Sequence, residues 1–166
     1  MALKYRFNLK EIKLQDFKVY LLALFKSVLP KKKIKNLNDL EDFIQKKSAW
    51  VTQVTLYSYL KTRIGTKYVL HFDDEKFLGS INIAKWNIYS IALQDLSFYT
   101  FSYLNLVKNY QDVNQSKILY ELILDKEKNN GMPPDIIDNA KNQFSERQNQ
   151  IEWKKYCTDL PFNRSA

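Results

Sequence analysis

The sequence predicts an all-α fold, a bundle of about five helices with two long helices at its centre. Apolar residues recur at the three- and four-residue intervals of amphipathic helices along most of the chain. Only 3 Gly and 4 Pro occur in 166 residues, whereas an all-β chain would need many more turn residues. The 11 Tyr, 10 Phe and 3 Trp are enough to fill a large core. We expect one domain, comprising a basic arm with a first amphipathic helix (residues 1–35) and a helical bundle (residues 36–166).

The first predicted helix covers residues 14–29. Pro30 ends it, because proline cannot continue a helix, and the basic linker of residues 31–35 follows. Its apolar stripe consists of Leu14, Phe17, Leu21, Leu24, Phe25 and Val28.

The second predicted helix covers residues 39–64. Asn38 is a good N-cap, and Glu41 stands three residues later in the capping-box position. Gly65 follows as the expected left-handed helix end. The apolar residues expected to face the core are Leu40, Phe43, Ile44, Trp50, Val51, Val54, Tyr57 and Ile64.

The third predicted helix covers residues 76–107 and is apolar on nearly all sides. A helix with one face in water would alternate polar and apolar faces, so this pattern places the third helix at the centre of the bundle.

Two shorter helices complete the predicted bundle. The fourth covers residues 112–129, and Gly131 just beyond it is the expected terminating glycine. Pro133 and Pro134 open the fifth, residues 135–156, whose stripe is narrow and which we therefore place outermost. That stripe consists of Ile137, Ala140, Phe144 and Ile151.

Positive charge is concentrated at the start of the chain. Ten Lys or Arg and two acids in residues 1–35 give +8, while residues 36–166 hold sixteen of each sign. This asymmetry favours docking on an anionic surface, either a membrane face or an acidic protein. Alternatively, the first predicted helix packs on the bundle, and these lysines simply lie in a solvated loop. The candidate binding residues are Lys26, Lys31, Lys32, Lys33, Lys35, Arg63 and Lys85.

Nucleic acid is a less favoured partner. Lys outnumbers Arg 22 to 4, whereas bidentate and stacking contacts to bases use Arg. The basic residues also lie in an arm and a linker, not along a helix face that would fit a groove.

Recognisable catalytic motifs are missing from the sequence. There is no nucleophile elbow, phosphate-binding loop, dinucleotide fingerprint or HExxH motif, and the single cysteine, Cys157, excludes a multi-cysteine zinc site. His71, Asp73 and Asp74 are the densest group of reactive side chains and weak candidates for a metal or acid–base site. Alternatively, these acids lie in the first turn of the third helix only because the helix dipole stabilises negative charge there.

Asp95 is the second catalytic candidate, because it is a lone carboxylate among apolar neighbours. Such a group must be paired or have its pKa raised. We expect a buried ion pair with Lys61 or Arg63. The alternative is a general acid in a small hydrolase or metal-dependent enzyme centred on His71, Asp73, Asp74 and Asp95. No cofactor is expected.

Targeting and membrane-spanning segments are not predicted. The apolar run of residues 19–25 is followed by lysines where a cleavage site would need small residues, and residues 86–107 are too polar for lipid. We therefore expect a cytoplasmic protein, which could still be peripheral to a membrane.

Three segments resemble small alphaproteobacterial helical proteins that often carry the label "esterase". They read WVTQVTLYSYLKTRIGTKY (50–68), HFDDEKFLGSINIAKW (71–86) and ALQDL (92–96), within about a third of the chain. The resemblance implies a bacterial helical protein on the cytoplasmic side and brings no catalytic residues with it. It directs attention to Arg63, Gly65, Asp73, Asn82, Lys85 and Asp95.

The function that these observations favour is a non-catalytic scaffold or adaptor whose basic arm docks on an anionic surface. The small enzyme described above is the first alternative. A protein associated with the ribosome or with nucleic acid is the second.

Overall fold

Helices make up all the regular secondary structure of residues 33–158, the part of the chain that the computed structural model describes. The prediction of an all-α fold is therefore confirmed for this part. Its α-helices are α1 (Leu37–Ile64), α2 (Glu75–Lys108), α3 (Asn114–Glu127) and α4 (Pro134–Gln148). Short 3₁₀ helices, Gly65–His71 and Lys128–Asn130, follow α1 and α3.

The chain divides into two units, Met1–Lys33 and Ile34–Ala166. The α-helices α1 to α4 all belong to the second unit. The first predicted helix, residues 14–29, lies outside the described residues, as do residues 159–166.

Specific caps define both ends of α1. The side chain of Asn36 accepts a hydrogen bond from the backbone N–H of Asp39 at 2.8 Å, so Asn36 is the N-cap and the predicted cap, Asn38, is wrong. At the other end Gly65 has a φ of 72°, a region that favours glycine, and its N–H donates to the Lys61 carbonyl. The helix ends at Gly65 as predicted, but with a ψ of −164° Gly65 does not have the expected left-handed helical conformation.

The second helix, α2, extends one residue beyond its predicted bounds at each end. Asp74 caps it by accepting hydrogen bonds from the backbone N–H groups of Lys76 (2.9 Å) and Phe77 (3.3 Å). It contacts α1, α3 and α4, and its middle is buried. Within residues 33–158, no helix has both the length and the apolar character that crossing a bilayer requires.

Aromatic rings join α2, α3 and α4 in the core. The ring centroids of Phe98 and Phe144 lie 4.4 Å apart, and Tyr120 stacks on Phe144 at 4.2 Å. All three side chains are buried, and burying one such residue contributes about 1.5–3 kcal/mol. Other core residues include Leu93, Phe101, Leu119, Ile123, Leu124 and Ile137.

The buried face of α1 differs from the predicted one. The buried row has four-residue spacing and includes small polar side chains: Ile44, Ser48, Thr52, Leu56 and Leu60. Rows with this spacing form the ridges of the commonest class of helix packing. The hydroxyl of Thr52 donates to the Ser48 carbonyl at 2.8 Å, so this buried polar group is satisfied within the helix.

The prediction of the α1 core face was therefore mostly wrong. Of its eight apolar residues, only Leu40 and Ile44 are buried. The other six are exposed because α1 packs against α2 through the Ser48–Thr52 row, which leaves these larger side chains outside the closest contact. These six are Phe43, Trp50, Val51, Val54, Tyr57 and Ile64.

The last helix, α4, is shorter than predicted and ends at Gln148. Trp153 lies nine residues after Phe144, so in a continuous helix it would point to the opposite side, about 180° away. The turns that follow α4 instead let Trp153 and Tyr156 pack edge-on against Phe98, each at 5.9 Å between ring centroids.

Replacing Phe144 with alanine tests the aromatic core. We expect Phe144→Ala to lower the free energy of unfolding by about 3–5 kcal/mol, because it leaves a cavity between Phe98 and Tyr120. Urea denaturation followed by circular dichroism measures the change. Ile118→Ala is the matched control: Ile118 is 56% exposed, so we expect a change within about 0.5 kcal/mol. Equal losses in both variants would contradict this core.

Candidate functional site

A pocket of about 230 Å³ lies between α1 and α2, beside the C-terminal end of α3. It combines an apolar surface with one cation and one carboxylate. Its lining residues are Ala49, Thr52, Gln53, Leu56 and Tyr57 from α1, Lys85, Trp86 and Tyr89 from α2, and Glu127 from α3.

Glu127 is a buried carboxylate held by three hydrogen bonds. The Tyr89 hydroxyl and the Gln45 amide each donate to its Oε1 at 2.8 Å, and the Asn130 amide donates to its Oε2 at 2.7 Å. Burial alone would raise the pKa of Glu127. The three donors and the charge of Lys85 outweigh burial and hold the pKa below its ordinary value. Glu127 is therefore ionised at neutral pH.

Lys85 and Trp86 form the other polar part of the pocket. The Lys85 Nζ lies 4.0 Å from the centroid of the Trp86 ring, a cation–π contact. Burial lowers the pKa of Lys85, and the negative charge of Glu127 opposes that change. The indole Nε1–H of Trp86 is buried and has no hydrogen-bond partner among the described residues.

Tyr89 connects the two halves of the site. Its ring packs edge-on against Trp86 at 5.8 Å between centroids, while its hydroxyl bonds to Glu127. Burial and this bond to a carboxylate raise the pKa of Tyr89, so its hydroxyl remains a proton donor over the physiological range.

The predicted binding residues are spread over the structure. Lys85 lines the pocket. Arg63 lies outside it, with its guanidinium 5.7 Å from the Tyr59 ring centroid. Lys33 and Lys35 are exposed just before α1, and neither forms an ion pair within residues 33–158. The other candidates, Lys26, Lys31 and Lys32, lie outside the described residues.

Asp95 forms a buried ion pair between α2 and α4. Its Oδ1 accepts hydrogen bonds from Arg147 Nη2 at 3.2 Å and from the Tyr156 hydroxyl at 3.4 Å. The expected partners, Lys61 and Arg63, are wrong because both are exposed at the end of α1. Since Asp95 is only 1% exposed, it joins helices within the core instead of facing a pocket.

The His71 group and Asp95 do not meet in one site. His71 packs against Phe77 at 5.5 Å between ring centroids, and Asp74 is the N-cap of α2. Asp73 is exposed beside them. Asp95 lies about 30 Å further along α2, at 1.5 Å per residue. Residues 33–158 contain no group of three or more His, Cys, Asp or Glu able to hold a metal ion.

Sequence reasoning missed Glu127, Tyr89 and Gln45. A signal for Glu127 exists, because it continues the four-residue spacing of the buried Leu119 and Ile123 on α3. An acid that extends a buried row must be paired or hydrogen-bonded. No pattern in the sequence indicates Gln45 as a partner, since it lies 82 residues away.

Comparison with protein-family models, with curated proteins and with solved structures finds no match to this chain. The resemblance of residues 50–68, 71–86 and 92–96 to alphaproteobacterial helical proteins therefore stays a prediction. The function of the protein is inferred below from its own residues.

The Asp95 ion pair should stabilise the fold measurably. We expect Asp95→Asn to lower the free energy of unfolding by about 1.5–3 kcal/mol, because Arg147 loses a charged acceptor. Thermal and urea denaturation measure this loss. The double variant Asp95→Asn/Arg147→Met should lose less free energy of unfolding than the two single variants lose together, since both changes remove the same interaction. A melting temperature unchanged by Asp95→Asn would contradict the pair.

Glu127 should make stability depend on pH in the acid range. Because its folded-state pKa lies below the ordinary 4.5, its stabilising effect is present above that pH and is lost as the pH falls through the folded value. We expect the stability advantage over Glu127→Gln to shrink as the pH is lowered from neutral, as measured by urea denaturation at several pH values. Tyr89→Phe, which removes one donor, should show a smaller acid loss than the wild type. An advantage independent of pH would contradict this account.

Proposed function

We propose that this protein is a non-catalytic helical scaffold that docks on an anionic lipid surface. Docking uses the exposed face of α1 together with the basic segment that precedes it. The observation that carries the proposal is the composition of residues 43–64, which hold four cations and no acid. The cations are Lys46, Lys47, Lys61 and Arg63.

Large apolar side chains lie on the same part of α1. Phe43, Trp50, Tyr57 and Ile64 recur every seven residues, so they share one face of the helix, and Val54 lies between them. Tyr57 also borders the pocket between α1 and α2, so we call the other four residues, Phe43, Trp50, Val54 and Ile64, the outer face of α1. Trp50 is 60% exposed and Val54 45% exposed. Trp and Tyr are favoured at membrane–water interfaces because each has an apolar ring and a polar group.

The lysines of α1 accompany this outer face. By helical spacing Lys47 and Lys61 lie within about 40° of Phe43. Lys47 Nζ is 5.9 Å from the Trp50 ring centroid. Lys46 is 75% exposed, and its pair with Asp42 is on the surface, where such pairs contribute little. Lysine stems can lie along an apolar surface while the ammonium groups reach lipid phosphates.

The basic segment adds charge directly before α1. Residues 1–35 carry +8, and the rest of the chain is balanced. Cations near an anionic membrane contribute about 1 kcal/mol each, and stable anchoring needs apolar contact as well. An acidic protein partner would account for the charge but not for an outer face rich in exposed aromatic and aliphatic side chains. We therefore favour lipid.

Vesicle binding tests this function. The full chain should sediment with vesicles containing phosphatidylglycerol and not with vesicles of phosphatidylcholine alone. We expect Lys46→Gln/Lys47→Gln to weaken binding about thirtyfold, because two lysines contribute about 2 kcal/mol. Lys108→Gln/Lys154→Gln removes the same charge at exposed positions on other segments and should leave binding unchanged.

A second pair of variants tests the apolar contact. Trp50→Glu should abolish vesicle binding, whereas Ile118→Glu, at a site of similar exposure on α3, should reduce it only slightly. Equal binding to both vesicle types would overturn the proposal. Binding that survives the α1 changes but is lost with Lys31→Gln/Lys32→Gln/Lys33→Gln would overturn the role of α1.

A further inference from the structure

The turn that follows α3 contains an asparagine directly before a glycine, Asn130 and Gly131. Two backbone hydrogen bonds close this turn: the Gly131 N–H donates to the Lys128 carbonyl at 3.1 Å, and the Met132 N–H donates to the Glu127 carbonyl at 3.1 Å. Gly131 has a φ of 89° and a ψ of 21°. These bonds and angles are those of a Schellman helix end with glycine in the left-handed conformation.

Asn130 is also the accessible member of the hydrogen-bond network around Glu127. Its amide donates to Glu127 Oε2 at 2.7 Å. Of the three donors to this carboxylate, Asn130 is exposed, whereas Gln45 is half-buried and Tyr89 is buried. An exposed asparagine before glycine is open to attack by the next backbone nitrogen, because glycine has no side chain to block the approach. Water therefore reaches the Glu127 network at a chemically reactive pair of residues.

We propose that Asn130 is a site of spontaneous deamidation, a modification that turns one donor to Glu127 into a carboxylate. The backbone nitrogen of Gly131 attacks Cγ of Asn130 and forms a new C–N bond, which closes a succinimide ring. The bond between Cγ and Nδ2 breaks, and ammonia leaves with the proton of the Gly131 nitrogen. Water then opens the ring and leaves aspartate or isoaspartate at position 130. The reaction consumes only water.

The fold controls both the rate and the effect of this modification. Attack requires the Gly131 nitrogen to leave the Lys128 carbonyl and the Asn130 amide to leave Glu127, so the reaction proceeds through local opening of the turn. Afterwards two carboxylates face each other where a donor met an acceptor, and this repulsion weakens the connection between α1, α2 and α3. The site is separate from the proposed lipid-docking surface of α1.

Incubation of the full chain in heavy-oxygen water at mildly alkaline pH tests the reaction. Digestion with trypsin in ordinary water then releases the peptide of residues 129–141, which mass spectrometry sequences. Heavy oxygen marks only those events that occurred in the folded chain before digestion. We expect the label at Asn130 to accumulate about tenfold faster than at Asn129, which precedes a bulkier residue in the same peptide. An unlabelled Asn130, or equal labelling of the two asparagines, would overturn the proposal.

Two variants test whether the turn controls the rate. Glu127→Gln should speed labelling of Asn130 about threefold, because the Asn130 amide loses a charged acceptor. Asp95→Asn is the control, since it weakens the fold at the Arg147 ion pair and leaves the turn intact, so we expect an unchanged rate. Equal acceleration in both variants would show that global unfolding sets the rate and would overturn control by the turn.

A further pair of variants tests the effect of the product. Asn130→Asp places the product carboxylate beside Glu127 and should lower the melting temperature by about 3 °C. Asn129→Asp adds the same charge at an exposed neighbour that is not a donor to Glu127, and should lower it by less than about 1 °C. Equal shifts in the two variants would overturn the proposed effect on the Glu127 network.

Discussion

The orientation of α1 about its own axis determines both the outer face proposed to dock on lipid and the pocket beside α2. The row of Ile44, Ser48, Thr52, Leu56 and Leu60 packs inward. Ser48 is fully buried in this row, and Thr52, one turn further along, borders the pocket. The same orientation turns Phe43 and Trp50 outward. Helix packing, not apolar content, therefore decides which side of α1 is available to ligands and surfaces.

The Glu127 carboxylate connects three helices through hydrogen bonds. Its donors come from α1, α2 and the 3₁₀ helix that follows α3, so one ionised group fixes the relative positions of these elements. A second connection between α1 and α3 joins Lys126 to Glu41. Hydrophobic contact supplies most of the stabilisation, as around Phe144, whereas the polar bonds select one arrangement among several that would bury similar areas.

Some elements could be predicted from local patterns. The bounds of α2 and the helix end at Gly65 follow from apolar spacing and from the need for a positive φ, which are properties of neighbouring residues. The burial of Asp95 also followed from its apolar context. Its partner did not, because Arg147 is 52 residues away and nothing local marks it. Contacts between residues far apart in the chain cannot be predicted from local patterns in a single sequence.

The errors on α1 and α4 have a common physical cause. In both places tertiary contacts overrule the local pattern: they select one of several apolar lines on α1, and α4 ends at Gln148, before its predicted terminus. On α1 the row containing Ser48 packs closely, and the row containing Trp50 remains outside. Beyond α4 the gain from placing Trp153 on Phe98 outweighs the gain from extending the helix. Periodicity identifies helices but does not rank their faces.

The position of Glu127 has a consequence for attempts to engineer this protein. It is the last residue of α3, where the helix dipole already presents partial negative charge and disfavours an acid. Thermostabilisation by helix optimisation would therefore recommend lysine or glutamine at this position. Such a variant would gain stability at the C-terminal end of α3, but it would lose the carboxylate that accepts the three hydrogen bonds beside the pocket.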